Sequence, residues 1–131
     1  MPYYKLYIKK YTFISNNEVV EINTKEDFFV VTGIENPSPL IEEMIRININ
    51  FDHFKYSDHY IFKKSDISYL IKMGKLKNIK NLIITEKDFY RLSKDDINLI
   101  QSYFKLIYTQ IECDFIKEEK VKFNKQILKF I

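Results

Sequence analysis

Two unbroken apolar runs, Phe28-Phe29-Val30-Val31-Thr32 and Leu82-Ile83-Ile84-Thr85, constrain this chain more than any other feature. A strand with one face in water alternates apolar and polar residues. These runs do not alternate, so both faces of each strand must be covered. Strands of that kind belong to parallel sheets packed beneath helices.

The segments around the runs supply those helices. After Gly33, prolines 37 and 39 sit where a first helical turn tolerates them, and Leu40, Ile41, Met44 and Ile45 keep helical spacing to about Ile47. Ile49–Tyr56 reads as a second strand, followed by a polar and aromatic loop from Ser57 to Lys64. Ser65 is placed to cap a helix over Asp66–Met73, with Gly74 placed to end it. Beyond Thr85, short helices are expected over Glu86–Leu92 and Asp95–Tyr103, then a strand over Phe104–Ile111. Phe123, Ile127, Leu128 and Ile131 have the spacing of a docking helix. The start of the chain differs. Tyr3–Thr12 alternates, Asn16-Asn17 suits a tight turn because Asn tolerates positive φ, and Glu18–Ile22 is the return strand. The expected fold is therefore α/β. It is a mainly parallel, Rossmann-like sheet with helices on both faces and right-handed crossovers, preceded by an N-terminal β-hairpin. The charged break at Thr24–Asp27 suggests a hairpin or linker unit over 1–24 and an α/β domain over 25–131.

Composition excludes several classes. The 131 residues fit one domain, and 46% apolar with 16% aromatic content is too rich for a disordered chain. The 21 basic and 18 acidic residues are interspersed, which gives no track for nucleic acid. Cys113 is the single cysteine, so no intrachain disulfide forms. With two separated histidines, His53 and His59, it offers no ordinary zinc site, and no metal site is expected. Residues 1–10 lack the apolar core of a signal peptide, and no stretch reaches the roughly 18 apolar residues of a membrane span. The expectation is a reducing, cytoplasmic compartment.

Three clusters stand out: Gly33-Ile34-Glu35-Asn36-Pro37, Ser57-Asp58-His59-Tyr60 and Thr85-Glu86-Lys87-Asp88. Each follows a proposed strand. In an open parallel sheet the C-terminal ends of the strands share one edge, where ligands bind. Each cluster also has an ordinary reading. Gly33 and Pro37 suit a turn, Asp58-His59 suits a local loop pair, and Thr85–Asp88 suits a helix N-cap with acidic residues in its first turn. His53, inside a strand, reads as structural.

Taken in order, the three clusters resemble the tetraacyldisaccharide 4'-kinase family, whose members phosphorylate the lipid A disaccharide precursor of Gram-negative bacteria. The resemblance runs from about Phe28 to the C-terminus, and the preceding hairpin resembles the family's β-stranded interdomain linker. It departs in one place. Many members read Asp-His-His, whereas this chain reads Asp58-His59-Tyr60.

The resemblance implies an ATP-dependent kinase acting on the 4'-hydroxyl of the tetraacyldisaccharide 1-phosphate precursor, with Mg²⁺ as counter-charge. His59 and Asp58 match the family's catalytic positions; Gly33, Asn36, Glu86 and Lys87 match the nucleotide side of the cleft. The family's phosphate-binding loop reads Gly-x-x-x-x-Gly-Lys-Ser/Thr. Neither of the two glycines here, Gly33 and Gly74, opens that pattern. The expected partner is therefore an N-terminal P-loop domain outside this sequence. ATP and Mg²⁺ would be held mainly there, and contact with the cytoplasmic face of the inner membrane would also be made there. This chain would supply the opposite side of the cleft and would be inactive alone. The alternative is a stand-alone α/β interaction domain. A receiver-like version would need an acidic cluster near the first strand, which is missing. A nucleic-acid module would need basic residues gathered on one face.

Overall fold

The computed structural model describes residues 4–118, with side chains described for 10–111. The helix expected over 123–131 lies outside them. The chain divides into two compact units, Phe13–Thr109 and a second formed by Met1–Thr12 with Gln110–Ile131.

Among the described residues six strands form one sheet. They are β1 (Tyr4–Ser15), β2 (Glu18–Val20), β3 (Asp27–Thr32), β4 (Asn50–Lys55), β5 (Asn81–Thr85) and β6 (Lys105–Glu118), in the order β2-β1-β6-β5-β3-β4. Strands β3, β4, β5 and β6 pair in parallel, while β1 and β2 form an antiparallel hairpin. The hairpin turn is Asn16-Asn17, with φ of 53° and 65°. Positive φ at both central residues matches the twist of a two-residue hairpin, and Asn adopts it at small cost. The return strand stops at Val20, short of the expected Ile22.

Four helices complete the described residues: α1 (Ser38–Arg46), α2 (Lys64–Lys77), α3 (Glu86–Arg91) and α4 (Lys94–Gln101). They cover both faces of the sheet. Phe29 and Val31 of β3, Leu82 and Ile84 of β5 and Leu106 of β6 form one cluster with Ile67 and Leu70 of α2 and Ile100 of α4. The alternate residues Phe28, Val30, Ile83 and Ile107 point the other way and are equally buried. They lie outside that cluster, as do the buried Leu40 and Met44 of α1, so α1 covers the second face. The apolar runs fail to alternate because each strand has a helix layer above and below it.

Helix α2 corrects one expectation. It does not end at Gly74 but continues to Lys77 and is closed by Asn78 in the left-handed region, at φ 58°. Gly74 serves packing instead. A Cβ there would come within 2.8 Å of the Phe104 and Tyr103 rings. Its start also moves, from the expected Asp66 to Lys64, and the cap position from Ser65 to Lys63. The Asp66 carboxylate accepts the Lys63 backbone N–H at 2.8 Å.

Candidate functional site

Because β3, β4 and β5 are parallel neighbours, the segments that follow them meet at one sheet edge. Gly33 follows β3, Asp58 and His59 lie in the loop after β4, and Glu86, Lys87 and Asp88 open α3 directly after β5.

The edge is organised around Asp88, which is fully buried. Its Oδ2 accepts the Gly33 backbone N–H at 2.9 Å and the Thr85 hydroxyl at 2.7 Å. Its Oδ1 accepts from Arg91 Nη1 at 3.3 Å. Thr85 in turn caps α3, its Oγ1 accepting the Asp88 N–H at 3.1 Å. A buried carboxylate is tolerated only when paired and hydrogen-bonded, and these contacts meet that condition.

Arg91 links this centre to the loop after β4. Nη1 donates to the Gly33 carbonyl at 3.1 Å, and Nη2 lies 3.1 Å from His59 Nδ1. The His59 backbone N–H also reaches the Gly33 carbonyl, at 3.0 Å. His59 holds a left-handed backbone, φ 63°. Asp58 Oδ1 stands 3.5 Å from the same ring nitrogen, so the ring's close partner is Arg91.

The rest of that loop is stiffened by aromatic packing. Tyr56, Tyr60 and Phe62 form a triad with ring centroids 4.8 to 5.3 Å apart. The Tyr60 hydroxyl donates to Asp66 at 2.8 Å, and that hydrogen bond, with lesser contributions from burial and charge, raises the phenol pKa. Tyr60 therefore ties the loop to the first turn of α2.

The other sequence candidates sit further out. Asn36 Oδ1 accepts the Ser38 N–H at 3.2 Å, closing the turn into α1. Lys87 is exposed, and Glu86 is half-buried. The Asp88 carboxylate is held by Gly33, Thr85 and Arg91. Sequence reasoning missed Arg91 altogether. The available signal was its spacing three residues after Asp88, which puts both on one face of α3.

His53, on β4, bonds through Nε2 to the Thr32 hydroxyl at 2.8 Å. Burial, helped by the nearby Lys55 charge, lowers its pKa. Among the described residues no group of three His, Cys, Asp or Glu side chains could hold a metal ion. No helix among them is long and apolar enough to cross a membrane.

A mostly parallel α/β sheet with loops from three strands gathered at its C-terminal edge defines a Rossmann-like domain, in which that edge is where open α/β sheets bind their ligands. Comparison with known proteins makes this specific. The family model for tetraacyldisaccharide-1-P 4'-kinase matches residues 2–131, and the chain belongs to that family. It is 33% identical over 111 residues to the tetraacyldisaccharide 4'-kinase of Bacteroides thetaiotaomicron, covering 82% of this chain and 29% of that protein. It is 29% identical over 143 residues to the enzyme of Phocaeicola vulgatus, covering 99% and 38%. With that of Bartonella quintana the identity is 27% over 95 residues, covering 72% and 27%. The chain thus spans about a third of the length of the curated relatives it matches. No solved structure matches it.

Proposed function

We propose that this chain forms the non-P-loop side of the cleft of an ATP-dependent kinase that phosphorylates the 4'-hydroxyl of the tetraacyldisaccharide 1-phosphate precursor of lipid A. The observation that carries the reading is the convergence of Gly33, His59, Asp88 and Arg91 on one sheet edge, in a chain of this family. On this reading the phosphate-binding loop belongs to the portion of the relatives that the chain does not span. ATP is held mainly by that portion, and Mg²⁺ neutralises the charge of the transferring phosphoryl group there. Contact with the lipid and the inner membrane's cytoplasmic face belongs there too.

This chain closes the cleft. The Gly33 turn and Asn36 shape the nucleotide side, and Glu86 and Lys87 border it. The exposed His59 ring acts at the sugar hydroxyl or on the phosphoryl oxygens, with Asp58 beside it. The test is ATP-dependent phosphorylation of the tetraacyldisaccharide 1-phosphate by the longer protein that contains this chain. His59→Ala should lower kcat far more than it raises KM, the mark of an interaction made only in the transition state. Wild-type kcat in a folded His59→Ala variant refutes the assignment.

A further inference from the structure

The contacts of the His59 ring fix more than its place. Nδ1 lies 3.1 Å from Arg91 Nη2. A guanidinium carries five N–H donors and no acceptor, and it stays charged in proteins. The ring nitrogen must therefore accept. A neutral imidazole has one accepting and one donating nitrogen, so with Nδ1 accepting, the proton sits on Nε2. Asp58 pulls the other way, because a carboxylate 3.5 Å from Nδ1 favours a proton there.

Anchoring decides between the two. The Asp58 side chain is 42% exposed, whereas Arg91 is only 27% exposed and its partner Asp88 is fully buried. Arg91 is held at Asp88 Oδ1 and at the Gly33 carbonyl, and Asp88 is held in turn by the Gly33 N–H and the Thr85 hydroxyl. A guanidinium fixed at two points loses little freedom on making a third bond. The His59 side chain is 75% exposed and has little packing of its own to orient it.

We propose that Arg91 is a positioning residue: seated on the buried Asp88 carboxylate and the Gly33 carbonyl, it orients the His59 ring and keeps the neutral form protonated on Nε2. His59 then meets its ligand as a hydrogen-bond donor rather than as a base. The ring assignment rests on the contacts alone; the identity of the acceptor, a phosphoryl or sugar oxygen, rests on the kinase reading above.

The chain has two histidines, so long-range ¹⁵N–¹H spectra of this chain in alkaline buffer report each neutral ring separately. His53, bonded to Thr32, is the internal reference. The expected result is a His59 proton on Nε2, with the Nδ1 resonance moved upfield of a free accepting nitrogen by its hydrogen bond. A proton on Nδ1, or an Nδ1 resonance at the free value, overturns the proposal in the wild-type chain without any variant. In Arg91→Gln the upfield shift should vanish while the His53 pattern stays. An unchanged His59 pattern in that variant, folded by circular dichroism, also overturns it. Arg91→Lys keeps the charge against Asp88 without the planar fork and reads the same shift should the Gln variant not fold. These spectra do not consult catalysis. If they come out as expected and the longer protein phosphorylates nothing, the kinase reading fails and the ring assignment stands.

Discussion

Removing the Asp88 carboxylate would strand three groups at once: the Gly33 N–H, the Thr85 hydroxyl and the Arg91 guanidinium. Breaking a buried pair by deleting one partner costs about 3–5 kcal/mol. Arg91 keeps some contact with water, so Asp88→Ala should fall near the lower end, read as a lowered urea midpoint. A loss within roughly 0.5 kcal/mol, ordinary for a surface substitution, would show that Asp88 does not organise this edge. At His59 the decisive comparison is between two substitutions. Losing one preorganised donor to a developing charge costs about 10²–10³-fold in rate, which is the loss expected for His59→Ala in the proposed kinase. A glutamine amide can donate from nearly the position of Nε2 but cannot take up a proton. His59→Gln should therefore recover part of that loss; equal rates for the two variants would speak for a base. His53 gives a pH signature. Burial lowers its pKa in the folded state, so the unfolded state binds the proton more readily. Stability is then full above the ordinary histidine pKa and declines as pH falls through that value toward the lower folded one. His53→Gln should flatten the stability slope as pH falls below the ordinary histidine pKa, and an unchanged slope would assign it to other groups.

At the scale of elements, the most instructive is α2. A glycine late in a helical pattern signals a C-cap, and here it does not act as one. Gly74 has no side chain because the Phe104 and Tyr103 rings occupy the space, and Asn78 provides the left-handed cap instead. Gly74→Ala gains about 1 kcal/mol of helix propensity but forces a methyl against a buried ring, a strain of about 1–3 kcal/mol. The expected outcome is a modest net fall in melting temperature; a rise would mean that the rings move aside freely. The example shows where legibility ends. Strands β3 and β5 were readable because burial on two faces leaves an unbroken apolar run. The hairpin turn was readable because Asn16-Asn17 carries its own backbone chemistry. The packing reason for Gly74 depends on residues thirty positions away, which no local pattern encodes. The site divides in the same way. The clusters after each strand could be placed at one edge from topology alone. Arg91 could not be joined to His59, because that contact depends on how a six-residue helix is aimed.

For the molecule as a whole, the sheet edge of the proposed site presents His59, the exposed Lys87 and part of Arg91. The phosphate cradle that anchors a nucleotide in P-loop kinases is a separate structure. Titration of the 131-residue chain with ATP and Mg²⁺ by calorimetry should therefore show weak binding at most, and no phosphotransfer. Low-micromolar affinity would mean that this edge is itself the main nucleotide site. The crowding of Gly33 against Asp88 carries a consequence for descent. Gly33 has no positive φ, so its backbone alone would accept alanine; what crowds a methyl is the Asp88 carboxylate oxygen 3.0 Å from where the carbon would lie, which would have to give by a few tenths of an ångström while still holding its partners. Relatives that keep the aspartate should therefore favour glycine opposite it. Where the aspartate is lost, the constraint on position 33 lifts, and the two sites should drift together rather than singly.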